Sequence, residues 1–236
     1  MSWGQSSFTL RSAAIAAILL TAAGSAAANV LVVRSAGPSA KAYPAGRSLP
    51  DNARITLRPG DTLVVLTPAG TRTFRGAGTF SPGTAARGGT RTAVASDGRR
   101  ARVGAVRSAG IVPHGPTIWH VDVTQSGTMC LAGSPVMLWR PDATAPVRLT
   151  VSGPGGARTV DWAAGQTSAA WPAGMAMASG ATYSFAMPGV AVPTQITFRT
   201  LASEPTDLQS VASALIANGC QEQLDVLVET QPQDAP

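Results

Sequence analysis

Two histidines, His114 and His120, are the first residues in this sequence that could do chemistry. His120 and Asp122 lie two apart, so on a strand they share a face. With a serine such as Ser126 they supply the residue types of a hydrolytic triad: a nucleophile, a base and a carboxylate that orients the base. No nucleophile elbow or other local motif accompanies them, so the sequence assigns no catalytic residue. Met175 and Met177 form a second candidate, because thioethers suit Cu(I). The same spacing puts both on one face of a strand, where methionine fills gaps in a core. The further Met and His of a copper carrier are missing, and no metal site or cofactor is assigned. Trp139, Trp162 and Trp171 could stack on a glycan or serve as core rings.

Cys130 and Cys220 are the two cysteines of the chain. In an oxidising compartment an even count points to a disulfide, and the alternative is two buried thiols. The compartment is read from the amino terminus. Arg11 is the only charge in residues 1–28; an apolar run, Ala13 to Ala23, follows, and then Ala26-Ala27-Ala28. This is the layout of a secretory signal peptide cleaved near Ala28/Asn29. A span needs roughly 20 apolar residues, about twice this run, so the mature chain is not expected to cross a membrane. The expected location is the periplasm or the outside of the cell.

The elements that would position these residues are mostly strands. Low charge, few aromatics and abundant Gly, Ala, Thr and Pro fit short strands with tight turns. Residues 29–82 read as a β-meander. In it, Arg58-Pro59-Gly60-Asp61 is a type II turn, with proline second and glycine third, and Pro68-Ala69-Gly70 is another turn. Residues 116–200 hold eight strands at near-regular spacing, a pattern of an antiparallel sandwich. Ile118, His120 and Asp122 fall on one face of the first of these, opposite Trp119, Val121 and Val123. Residues 201–230 read as a helical hairpin. Leu208, Val211, Leu215 and Ile216 mark its first helix, with Thr206 as N-cap and Gly219 just past the end. Leu224, Leu227 and Val228 share a face of the second. The hairpin is expected on the sandwich, and residues 231–236 are expected to be disordered.

Charge divides the chain. Residues 29–115 hold thirteen Lys+Arg and three Asp, a net of +10; residues 116–236 hold four Arg and nine Asp+Glu, a net of −5. Arg87, Arg91, Arg99, Arg100, Arg102 and Arg107 lie in a Gly-rich stretch, residues 83–115. That stretch reads as a solvated linker or as a basic arm for an anionic surface, with a short strand possible at Ala101 to Val106. Export argues against nucleic acid as the partner. Anionic cell-wall polymer, lipid headgroups or an envelope protein fit better.

The run GRSLPDNARITLRPGDTLVVLTPAGTRTFRGAGTFS resembles the periplasmic β-domain of FecR-like proteins. Shared features are a Gly-Asp opening before a strand, turn glycines and a small-residue closure. Ala69-Gly70-Thr71 stands where an Asp-Gly pair is common. The resemblance implies a periplasmic sensing or scaffold module. MAMASGATYSFAM followed by PTQITFRTL is similar to the end of a fibronectin type III or immunoglobulin-like domain. That likeness implies that Tyr183 bonds backbone across the sandwich corner. The whole order resembles a group of exported alphaproteobacterial proteins, a likeness that brings no activity with it. The expected protein is mainly β: a FecR-like meander, an immunoglobulin-like sandwich and a helical hairpin. Its expected role is a non-catalytic interaction or sensing module of the bacterial envelope. The alternatives are a glycan or Cu(I) binder and, last, a hydrolase.

Overall fold

The computed structural model describes Met1 and residues 29–82, 114–133 and 135–233. The signal-peptide reading, the six linker arginines, the strand at 101–106 and the final three residues lie outside them. The described chain is mainly β, with two carboxy-terminal helices.

In the first module β1 (Asn29–Ala36), β2 (Ser48–Pro50), β4 (Thr62–Thr67) and β5 (Gly70–Arg75) form one antiparallel sheet, in the order β2-β1-β4-β5. β3 (Ile55–Leu57) and β6 (Gly78–Phe80) form a separate pair. The runs Val30–Val33 and Leu63–Leu66 are apolar without alternation because this sheet is buried on both faces. Val30, Val32, Leu63 and Val65 join Ile55, Leu57 and Phe74 in one core. Leu31, Val33, Val64 and Leu66 face the other way, into the core of the helical hairpin. The type II turn is present, with Gly60 at φ 84° and Asp61 N–H donating to Arg58 C=O at 3.1 Å. The other glycine plays a different part from the one in that turn. Gly70 opens β5, opposite Thr67, leaving Pro68 and Ala69 as the two-residue loop.

All eight expected strands of the second module are present: β7 (His120–Asp122), β8 (Gly127–Leu131), β9 (Met137–Trp139), β10 (Val147–Gly153), β11 (Gly156–Trp162), β12 (Ser168–Ala170), β13 (Thr182–Ala186) and β14 (Thr194–Thr200). They form a five-stranded sheet, β11-β10-β13-β14-β8, and a three-stranded one, β12-β9-β7. Fifteen buried residues drawn from both sheets and their loops make the core, among them Val121, Leu138, Leu149, Trp162, Phe185 and Phe198. The pairing is not wholly antiparallel: β8 runs parallel to β14, and β7 parallel to β9. These two strands enter the sheets from outside the hairpin succession, so their direction is not dictated by a tight turn. Tyr183 bonds backbone as expected. Its hydroxyl donates to Ala176 C=O at 2.8 Å and accepts from Ala178 N–H at 3.0 Å.

The hairpin consists of α1 (Leu208–Asn218) and α2 (Gln221–Thr230). Its N-cap is Asp207 rather than Thr206: the Asp207 carboxylate accepts from Ser210 N–H at 2.9 Å, the usual span from cap to third helical residue. Gly219, at φ 69°, ends α1 as expected. The hairpin does not lie on the sandwich alone. Ala212, Leu215, Leu224, Leu227 and Val228 share a core with Leu31, Val33, Val64 and Leu66 of the first module and with Cys130 of β8. Nor is the start of the tail free. Thr71 N–H donates to Pro232 C=O at 2.9 Å, and Gln233 bridges Thr71. A Cβ on Gly70 would lie 2.3 Å from that Pro232 oxygen, so only glycine admits the tail there.

Candidate functional site

Helix α2 lies along β8, which is the edge of the five-stranded sheet. An edge strand leaves a row of backbone groups unpaired. Here one side chain covers them. Gln223 Oε1 accepts from Cys130 N–H at 2.6 Å, and Gln223 Nε2 donates to Cys130 C=O at 3.0 Å and to Ile118 C=O at 2.9 Å. The primary amide thus imitates a neighbouring strand at one residue. Cys130 also forms a disulfide with Cys220, directly before α2, with Cα atoms 5.8 Å apart. The bond that the compartment argument favoured is therefore present, and it fixes the start of α2 against the sheet.

Around Gln223, α2 and β8 line a cleft of about 370 Å³. Its strand side carries His120, Asp122, Gln125 and Ser126, with Thr128 and Met129 beyond. Its helix side carries Glu222, Asp225, Val226 and Glu229. His114 and Ile118 complete the lining, and the nearly buried Met129 and Ile196 supply its apolar floor. The volume falls within the range of small-ligand and side-chain pockets, roughly 300–1,000 Å³.

The cleft brings together His114, His120, Asp122 and Ser126, but not as a triad. His120 Nδ1 bonds Thr117 Oγ1 at 2.9 Å. Asp122 Oδ1 accepts from the N–H and hydroxyl of Thr124 at 2.8 and 2.6 Å, a closed local turn. Ser126 Oγ accepts from Gln195 N–H at 3.0 Å. These bonds run to neighbouring turns or to β14, and among the described residues no hydrogen bond joins His120 to Asp122 or to Ser126. His114 Nε2 lies 3.1 Å from a Glu229 carboxylate oxygen. Among the described residues no group of three or more His, Cys, Asp or Glu could hold a metal ion.

The tryptophan and methionine candidates belong to the core. Trp162 is 1% exposed and Trp139 5% exposed, which leaves no face for a sugar. Trp171 packs edge-on against Tyr183 and Phe198 at 5.3 and 5.4 Å, and its Nε1 donates to Met175 C=O at 2.7 Å. Met175 is buried and Met177 packs half-buried on the same core, where thioethers fill space between rings. The packing thus places Trp139, Trp162 and Met175 in the core and leaves Trp171 and Met177 half-buried on it.

Sequence reasoning missed the helix side of the cleft. Glu222, Asp225, Val226 and Glu229 recur at i, i+3, i+4 and i+7, one stripe of a helix. Gln223, Leu224, Leu227 and Val228 are its buried face. The apolar face was read from the sequence, and the acidic stripe was legible by the same periodicity. No family model, curated protein or solved structure matches this chain.

Proposed function

We propose that this protein is an exported, non-catalytic interaction module of the bacterial envelope, and that it works through the cleft between β8 and α2. The observation that carries this reading is the cleft's lining. Its polar side chains hold turns and strands together or stand as carboxylates beside apolar residues, and among the described residues no hydrogen bond pairs Ser126 with a histidine base. Such a surface recognises; it lacks the converging groups that a reaction requires. Export is supported by the amino-terminal layout and by a disulfide that an oxidising compartment sustains. It is also compatible with the described helices, none of which is long and apolar enough to cross a membrane.

The test is a crosslinking map in the native cell. A photo-reactive amino acid replaces, in turn, Gln125 in the cleft, Thr159 on the outer strand β11, and Val192, a 77% exposed valine in the β13–β14 loop. A discrete adduct from Gln125 alone supports the reading. Adducts from Thr159 or Val192 alone would move the working surface elsewhere. Fractionation of the same cells, with amino-terminal sequencing, should recover the chain outside the cytoplasm beginning near Asn29.

A further inference from the structure

We propose that the cleft receives a basic segment of a partner protein. Its Lys or Arg side chains lay their aliphatic stems on Ile118, Met129, Ile196 and Val226 and set their charges against Glu222, Asp225 and Glu229. The proposal rests on the cleft being the protein's interaction site and names what it takes. The first observation is the charge inventory. Four carboxylates line the cleft, those of Asp122, Glu222, Asp225 and Glu229, and among the described residues no Lys or Arg does.

The second observation is that the carboxylate stripe works against its own helix. Like charges three and four residues apart repel on a helix surface, and Glu222, Asp225 and Glu229 are so spaced. Glu222 suits the positive end of the helix dipole, but Glu229 lies in the last turn, at the negative end, where an anion is disfavoured. None of the three contributes to the buried face, which is made by Gln223, Leu224, Leu227 and Val228. Two are offset from elsewhere in the chain. Arg34, on β1, pairs with Asp225, and His114 bonds Glu229. Glu222 has no partner among the described residues. A ligand cation would relieve what the fold leaves unrelieved.

Floor and span narrow the cation. An inorganic cation would gain nothing from the apolar floor, whereas the stems of Lys and Arg bury against apolar surface while their heads stay with the carboxylates. Glu222 and Glu229 are seven residues apart on α2, about 10 Å along the axis. Basic residues three apart in a polyproline II segment lie on one side, about 9 Å from each other. A segment with such spacing can meet both carboxylates at once.

Fluorescence anisotropy with a fluorescein-labelled Arg-Gly-Gly-Arg-Gly-Gly-Arg peptide tests this on the purified full chain. The expected result is saturable binding that weakens as salt rises. It should be lost about tenfold or more in the double variant Glu222→Gln, Glu229→Gln. Both positions are exposed and their repulsion is removed, so the urea midpoint of the variant should not fall below the wild-type value. Glu204→Gln removes a single charge outside the cleft, in a separate depression beside α1, and should change affinity less than about twofold. Absence of binding, or equal loss in Glu204→Gln, overturns the proposal. So does self-association that the double variant abolishes, which would make the occupant a second copy of this chain. Binding that emerges only after residues 83–113 are replaced by a Gly/Ser stretch also overturns it, because the chain's own arginines would then be the occupant. A Gln125 adduct in cells without peptide affinity would discard the ligand class alone and leave the interaction site standing.

Discussion

Gln223 shows how much one side chain can decide. It is 4% exposed; two of its amide hydrogen bonds go to Cys130 on the edge strand β8, and the third goes to Ile118 C=O in the turn before β7. A buried hydrogen bond is worth about 1 kcal/mol net, and stranding its partners costs more. Gln223→Ala should therefore destabilise the protein by about 3 kcal/mol, read as a lower urea midpoint at unchanged slope. Asp61 is a second case. Burial pushes its carboxyl up, but the Ser39 hydroxyl and N–H, the Arg58 N–H and the Arg58 charge outweigh burial and hold it below the ordinary aspartate range. Asp142, Asp161 and Asp207 are also held low, by hydrogen bonds from Thr144, Arg148 and Ser210. A carboxyl depressed by folding stabilises the native state above its unfolded pKa, about 3.9, and that contribution disappears as pH falls through the folded value. Urea midpoints measured from about pH 5 downward should fall, and Asp61→Asn should flatten the slope. An identical slope in the variant would show that the Asp61 contacts do not persist in solution.

At the scale of elements, the disulfide and α2 act together. The bond closes a loop across 90 residues, for which chain entropy gives about 4–5 kcal/mol as an upper value. Replacing both cysteines by serine should release the start of α2. The hairpin core includes Leu31, Val33, Val64 and Leu66, so the loosening should spread. Hydrogen exchange should show amides of β1 and β4 losing protection together with those of α1 and α2. Loss confined to the helices would mean that the shared core is weaker than its burial implies. Much of this architecture was legible. The eight strands of residues 116–200 follow from turn residues at regular spacing, and the helical hairpin from its apolar stripes. Two things were not legible. Strand direction, parallel for β8 and β7, depends on which strands meet across the sheet, and a local pattern carries no such information. The destination of the hairpin depends on a second buried face of β1 and β4; their unbroken apolar runs hinted at it but could not say what covers it. The strand half of the cleft was visible as His120, Asp122 and Ser126 and suggested chemistry. The helix half that redefines it lay a hundred residues away.

For the molecule as a whole, one consequence is mechanical. The disulfide joins two residues of the carboxy-terminal half, so nothing covalent but residues 83–113 ties the first module to the rest. The shared hydrophobic core and the Arg34–Asp225 pair should hold the halves together regardless. Protease cleavage within 83–113 should yield two fragments that still elute as one species under native conditions; separation of the two would contradict the shared core. The charge division of the chain has its counterpart in the site. The cleft is built mostly from the acidic half, on a helix held by the basic one. On the proposed function, that cleft is where the protein meets its partner through charge. The direct measurement is photo-crosslinking from position 125 in living cells, in the wild-type background and with Glu222→Gln and Glu229→Gln. A discrete adduct in the first and its loss in the second, at equal protein level, is the predicted result. An adduct of equal yield in both backgrounds would contradict the account.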